Sequence, residues 1–103
     1  MKITVRIKAI KPDGEGVSQK TGLPWRRVLV LCEKPGSMTE TVIFQVLDTS
    51  EGFTRLKRMD MHVGDIKTMF FHFMASEYEG KHYNNIKAYD CVPATEDELY
   101  KEQ

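Results

Sequence analysis

The chain has 103 residues, a length that fits one domain with a single hydrophobic core. Fifteen Lys and Arg balance fifteen Asp and Glu. This balance argues against strong non-specific binding to nucleic acid through charge alone, because counterion release at basic side chains drives such binding. The apolar runs are short and interrupted by charges, so no transmembrane helix is predicted. Because Met1 leads directly into a predicted strand, we expect no signal peptide and a cytoplasmic location.

Hydrophobic periodicity predicts five β-strands. The first is the clearest, because Ile3, Val5 and Ile7 alternate with polar residues, which is typical of a half-buried strand. Residues 12–24 are rich in Gly and Pro and are predicted to form a long loop. The predicted strands are residues 2–10, 25–34, 40–47, 66–77 and 82–92.

The period lengthens between the third and fourth strands. Phe53, Leu56 and Met59 recur every three residues, which predicts a short helix within residues 49–60. Asp48 or one of the two hydroxyl residues that follow it is expected to cap this helix.

The order of these elements predicts the topology. A three-stranded meander, a helix and a closing hairpin together form the layout of an OB-fold barrel. We therefore predict an all-β domain over residues 1–93, a five-stranded OB-fold barrel with one short helix between strands 3 and 4. Residues 94–103 are predicted to form a short acidic C-terminal tail. A different small open barrel or a sandwich is the alternative.

Five stretches of sequence carry a resemblance to a known family. They read MKITVRIKAI, PWRRVLVL, ETVIFQVLD, LKRMDMHVGD and EYEGKHYNNIKAYDC, and together they fall within residues 1–92. With these stretches the chain resembles bacterial single-stranded-DNA-binding proteins. It is even more similar to a group of small bacterial OB-fold domains of uncharacterised function.

The resemblance implies a binding surface and an assembly state. In the family, rings stack on bases and Lys and Arg side chains follow the phosphates; two of those rings correspond to Tyr78 and Tyr83. The family's aromatic residue at the start of the third strand is replaced by Thr41 or Val42, and Phe44 is the nearest ring. The family's long acidic tail with an apolar tip is absent. Relatives assemble as dimers or tetramers, so a homo-oligomer is expected.

Aromatic and basic residues on or beside the strands form the candidate site. Stacking on an exposed ring tolerates any base, and nearby cations neutralise phosphates. The candidate nucleic-acid-binding residues are Arg6, Lys8, Trp25, Arg26, Arg27, Phe44, Tyr78, Lys81, Tyr83 and Lys87. The competing interpretation is a solvated strand face whose charges serve solubility.

The fourth strand contains three phenylalanines whose direction the pattern leaves open. Phe71 and Phe73 share one face, whereas Phe70, His72 and Met74 share the other. Alternation does not say which face is buried. We expect the phenylalanines to be part of the core.

No metal, cofactor or catalytic site is predicted. Cys32 and Cys91 lie in apolar strands and are interpreted as buried free thiols. His62, His72 and His82 are ten residues apart and lack the spacing of metal ligands. No nucleophile and base combination suggests an active site, so we predict that the protein is not an enzyme.

Three functions remain as hypotheses. The first is non-specific binding of single-stranded DNA, as in replication or repair. The second is a protein-interaction or assembly module on the same fold, which the neutral net charge and the missing third-strand ring favour. The third is binding of RNA or an oligosaccharide, which OB-fold barrels also bind.

Overall fold

The computed structural model describes the backbone of residues 1–36, 38–78 and 81–101, and their side chains except those of residues 74–78 and 81–85. Its elements are β1 (Lys2–Val17), β2 (Pro24–Lys34), β3 (Glu40–Asp48), a 3₁₀ turn (Glu51–Phe53), α1 (Thr54–Met59), β4 (Ile66–Tyr78), β5 (Lys81–Pro93) and α2 (Glu96–Leu99). The strands form a closed barrel in the order β1-β2-β3-β5-β4, with α1 between β3 and β4. The predicted fold class is therefore confirmed.

The barrel closes because β1 pairs with two strands. Residues 2–6 pair with β4, and residues 6–17 pair with β2, both in antiparallel fashion. On the other side, β3 meets β5 in parallel through Gln45 and Lys87. Each strand thus has two neighbours, which removes the open sheet edges that would otherwise invite aggregation.

β1 is longer than predicted and continues to Val17 through a stretch expected to be loop. The ladder to β2 is irregular between Pro12 and Gly14, where Gly14 adopts a φ of 137°. Such a bulge accommodates residues that would end a regular strand, and it bends the strand without ending its pairing. The prediction of a loop over residues 12–24 was therefore wrong, and the connection shortens to residues 18–23.

Inward-facing side chains of all five strands and of α1 fill the barrel. The core consists of Val5, Ile7, Val30, Cys32, Phe44, Val46, Met59, Met69, Phe71, Ala88 and Cys91. The Phe44 and Phe71 rings contact each other, with centroids 5.6 Å apart. Phe73, which was also expected in the core, is 60% exposed. The reason is that β1 pairs with β4 only as far as Phe70, so Phe73 lies beyond that part of the wall.

α1 is shorter than predicted and begins after Phe53, whose φ is 54°. The buried Asp48 carboxylate accepts hydrogen bonds from the Ser50 and Leu56 amides, both at 2.9 Å, and from the Ser50 hydroxyl. It thereby provides a partner for the Leu56 amide, one of those that the first turn of a helix leaves without an intrahelical partner. Burial raises the pKa of Asp48, but these hydrogen bonds and nearby Arg55 outweigh it, so the net pKa is lowered.

The C-terminal segment folds back onto the barrel. Thr95 caps α2 by accepting a hydrogen bond from the Glu98 amide at 3.4 Å. Leu99 is fully buried, and its carbonyl accepts a hydrogen bond from Lys34 Nζ at 2.8 Å. Burial lowers the pKa of Lys34. A Thr-x-x-Glu pattern is a known helix start, so this turn had a signal in the sequence.

Both cysteines are free and buried, which confirms their interpretation as core thiols. Burial raises the pKa of Cys32 to about 12 and that of Cys91 to about 11. Among the described residues, no helix has the length and apolar character needed to cross a bilayer.

We expect Asp48→Asn to lower the free energy of unfolding by about 2 kcal/mol at pH 7, because one buried acceptor is replaced by an NH₂ group and the remaining acceptor loses its charge. Because the folded pKa lies below the unfolded one, this contribution is present at neutral pH and is lost as pH falls through the folded pKa. Urea unfolding at pH 7 and pH 3 measures both effects, with exposed Glu40→Gln as the control. An equal destabilisation at both pH values would contradict this role of the carboxylate.

We expect both native thiols to resist an aromatic disulfide reagent at pH 8, because only the thiolate attacks and burial keeps it protonated. The same protein unfolded in urea should release two equivalents of the chromophore. Rapid reaction of either thiol in the native protein would show that the core opens there.

Candidate functional site

Trp25 stands at one end of the surface that β1, β2 and β3 present to solvent. In β2, Val30 and Cys32 are buried, so strand alternation places the odd-numbered residues from Trp25 to Glu33 on the outside. Cross-strand partners share a side of the sheet. We call this outward side, with the adjoining outward residues of β5 and β4, the outer face.

Two glycines of β1 make room for Trp25. Gly16 pairs with Trp25, and Gly14 pairs with Arg27. A Cβ atom on Gly16 would lie 3.0 Å from Trp25 Nε1, and one on Gly14 would lie 3.3 Å from two ring carbons. The indole therefore packs closely against the backbone of β1, and a larger residue at either glycine would force the ring to shift.

A groove opens beside Trp25, with a volume of 480 Å³. Strand residues Trp25, Arg27 and Leu47 line one side, and Ser18, Thr21 and Leu23 of the connection between β1 and β2 line the other. We call it the Trp25 groove. Its mixed aromatic, apolar and polar lining, open at the surface, can hold a flat apolar group with a polar edge.

Arg27, at the edge of the Trp25 groove, is bound to Asp13. Its Nε donates to Asp13 Oδ2 at 2.8 Å, and its Nη2 donates to the Asp13 carbonyl at 3.0 Å. Gln45 Nε2 donates to the same Oδ2 at 3.5 Å, so this network spans β1, β2 and β3. The guanidinium carbon lies 5.8 Å from the Trp25 ring centroid, within reach of a cation–π interaction.

The other predicted cations of β1 and β2 also have carboxylate partners. Arg26 lies 3.6 Å from Glu15, and Glu33 lies 3.4 Å from Arg6 and 3.8 Å from Lys8. Ion pairs near the surface are weak, at about 0–1 kcal/mol, so a phosphate could displace them. Each cation that binds a phosphate in this way would nevertheless lose its carboxylate contact, so the net gain would be small.

These cations do not gather around Trp25. Arg26 points to the opposite side of β2, where its guanidinium lies 4.3 Å from the Phe53 ring centroid. Arg6 pairs with Glu33, near the far end of β2 from Trp25. A hydrogen bond with Tyr100 raises the pKa of Arg6, and Glu33 raises it further.

A transverse row of residues crosses the outer face. Lys11 pairs with Leu29, Leu29 with Gln45, Gln45 with Lys87, and Lys87 with His72. Leu29 and Gln45 alternate with buried residues of β2 and β3, Lys87 precedes buried Ala88, and His72 follows buried Phe71, which places these four on the outside. Lys11 shares their side of the sheet through its pairing with Leu29. Among the side chains described, neither lysine has a carboxylate within ion-pair distance. We call this set the lysine row.

One predicted site residue is misplaced and three fall outside the described side chains. Phe44 is fully buried in the core, so its ring cannot stack on a ligand, and this prediction was wrong. Both faces of β3 carry apolar residues, Val42 and Val46 on the side of Phe44 and Ile43 and Leu47 on the other, so alternation alone did not assign its side. The side chains of Tyr78, Lys81 and Tyr83 lie outside the described residues.

Sequence reasoning missed three residues on the surface. Lys11 lies at the point where β1 was predicted to end, so its position on the outer face was not foreseen. Phe73 is exposed, with its ring edge-on to Phe71 at 5.4 Å. Tyr89 stacks on His72 with centroids 4.5 Å apart, beside the lysine row. The length of the predicted hairpin could have indicated that Phe73 is exposed, since strands this long extend beyond the wall of a small barrel.

Within the described residues, no group of three or more His, Cys, Asp or Glu is arranged to hold a metal ion. His62 lies 3.6 Å from Asp60 and 3.5 Å from Asp65, in an exposed cluster at the start of β4.

No protein-family model, no curated protein and no solved structure matches the chain. The resemblance to single-stranded-DNA-binding proteins therefore stays an expectation from the sequence. Function has to be argued from the geometry of the outer face.

We expect Gly16→Ala to displace the indole of Trp25, because the added Cβ would lie 3.0 Å from Nε1. Overpacking of this kind costs about 1–3 kcal/mol of stability. Trp25 is the single tryptophan, so a red shift of its fluorescence emission reports the displacement directly. Gly36→Ala is the matched control, since its Cβ would meet only Met38 O at 3.6 Å. An unchanged emission spectrum in Gly16→Ala would show that Trp25 does not depend on the glycine.

Proposed function

We propose that the protein binds single-stranded DNA on the outer face of the barrel, with little sequence preference. The observation that carries this proposal is the half-buried Trp25, which lines a 480 Å³ groove on the same face as the lysine row. Among the described side chains, the two lysines of that row have no carboxylate partner. Rings beside cations on a small barrel are the usual means of holding single strands. In this proposal the protein has no catalytic role and uses no cofactor.

Stacking and phosphate contacts would come from different parts of the outer face. A base would enter the Trp25 groove and stack on the indole, a contact worth about 1–3 kcal/mol. Lys11 and Lys87 would contact phosphates from either side of Leu29 and Gln45. Adjacent strands lie about 4.8 Å apart, so three strand spacings separate the backbones of the two lysines by about 14 Å.

A second candidate function is a protein-interaction or assembly module, for example a homo-oligomer. Two observations favour it. The three arginines Arg6, Arg26 and Arg27 of β1 and β2 are paired with carboxylates, which reduces the positive potential available to phosphates. Ile43 and Leu47 are 47% and 37% exposed on the outer face, where they would suit an apolar partner surface.

The deciding experiment is fluorescence anisotropy of a labelled oligothymidylate at two salt concentrations. We expect Trp25→Ala to weaken binding by about 5- to 150-fold, the equivalent of one lost stacking contact. Lys11→Gln with Lys87→Gln should reduce the slope of log K against log salt by about 1.4, because two phosphate contacts are lost.

Lys57→Gln and the double variant Lys57→Gln with Lys101→Gln are the matched controls, because both lysines are exposed and lie outside the lysine row. Absence of binding by the native protein at about 100 µM and low salt would overturn the proposal, since non-specific binding is normally tighter than this. The interaction module would then be the better hypothesis, and sedimentation would test it.

A further inference from the structure

We infer that Asp13 determines what the Trp25 groove accepts. Its carboxylate is bound to Arg27, so the groove takes a base by stacking, and Arg27 adds no phosphate contact. This inference rests on the proposed function, since it concerns the same site. It assigns a role in specificity to an acidic residue of β1 that pattern and resemblance did not single out.

The geometry shows how firmly Arg27 is engaged. One edge of the guanidinium is held at two points, by Asp13 Oδ2 at 2.8 Å and by the Asp13 carbonyl at 3.0 Å. Hydrogen bonds from a guanidinium to a carboxylate are among the stronger ones in proteins. A phosphate arriving at this edge would have to displace the carboxylate and would be repelled by it.

The bulge in β1 is what aims Asp13 at Arg27. In the ladder, Pro12 pairs with Val28 and Gly14 pairs with Arg27, so Asp13 is the extra residue without a partner of its own. A bulge of this kind redirects the side chain of its extra residue. Gln45, reaching across β2 to Asp13 Oδ2 at 3.5 Å, holds the carboxylate from the other side.

The neighbouring acidic residue provides a contrast. Glu15 lies 3.6 Å from Arg26, and its side chain is 73% exposed, whereas that of Asp13 is 32% exposed. The Glu15 pair is loose and open to water, so solvent ions and phosphates compete for it easily. The Asp13 pair is shorter, better covered and joined to a third side chain.

This arrangement separates the two parts of a nucleotide. Trp25 and Leu47 offer apolar surface for a base, while Arg27, the one cation among the described lining residues, is already paired with Asp13. Phosphates would be held at the lysine row, outside the groove. Binding should therefore depend strongly on the presence of bases and only weakly on salt.

Removing the charge of Asp13 should convert Arg27 into a phosphate contact. We expect Asp13→Asn to make the slope of log K against log salt steeper by about 0.7, measured with an oligothymidylate about 15 nucleotides long. The gain in affinity should then be about threefold larger at 50 mM than at 200 mM salt. Asp13→Asn should also bind an abasic oligonucleotide of equal length more tightly than the native protein does.

Three variants make this test specific. Glu40→Gln changes the net charge equally but lies at the opposite end of β3 from Leu47, so its slope should equal that of the native protein. Asp13→Asn combined with Arg27→Gln should lose the steeper slope. Asp13→Ser removes the same charge and replaces Asp13→Asn if circular dichroism shows that the latter does not fold.

The outcomes separate this inference from the function on which it rests. If the native protein binds the oligothymidylate and Asp13→Asn and Asp13→Ser keep its slope, the role of Asp13 is refuted while DNA binding stands. If the native protein binds the abasic oligonucleotide as tightly as the oligothymidylate, the groove takes no base and the inference is likewise overturned. If the native protein binds neither, both the inference and the proposed function fail.

Discussion

The pairing of β1 with two strands is the constraint on which the rest of the structure depends. Its first residues bond to β4 and its remainder bonds to β2, with Arg6 in both ladders. A straight strand could not turn between these neighbours, and the irregularities after Ile7 and Pro12 provide the bend. Without this double pairing, β2 and β4 would each have an open edge, and the core would be exposed between them.

The same bend also shapes the surface. The irregularity after Pro12 leaves Asp13 as an extra residue that reaches Arg27, and it puts Gly14 and Gly16 beneath the indole of Trp25. Closure of the barrel and construction of the groove are therefore two effects of one local departure from regular strand geometry. Bulges next to binding sites are common for this reason.

Charge is distributed so that the groove is neutral while the middle of the outer face is not. The guanidinium groups of β2 are paired with acidic residues of β1, whereas Lys11 and Lys87, which flank Leu29 and Gln45, have no carboxylate partner among the described side chains. A chain with equal numbers of acidic and basic residues can thus offer cations at one place. Total charge describes non-specific attraction at long range, but the partners of each cation decide what it can bind.

Local patterns in the chain were sufficient to predict the five strands, the helix between the third and fourth, and the burial of Cys32 and Cys91. These depend on alternation and period, which are local properties of the chain. The burial of Phe44 and the exposure of Phe73 follow from the folded barrel, because its closure chooses between two apolar faces. The tertiary structure also decided which acid neutralises Arg27, since that pair is formed by cross-strand register around a bulge, and no local pattern encodes such a register.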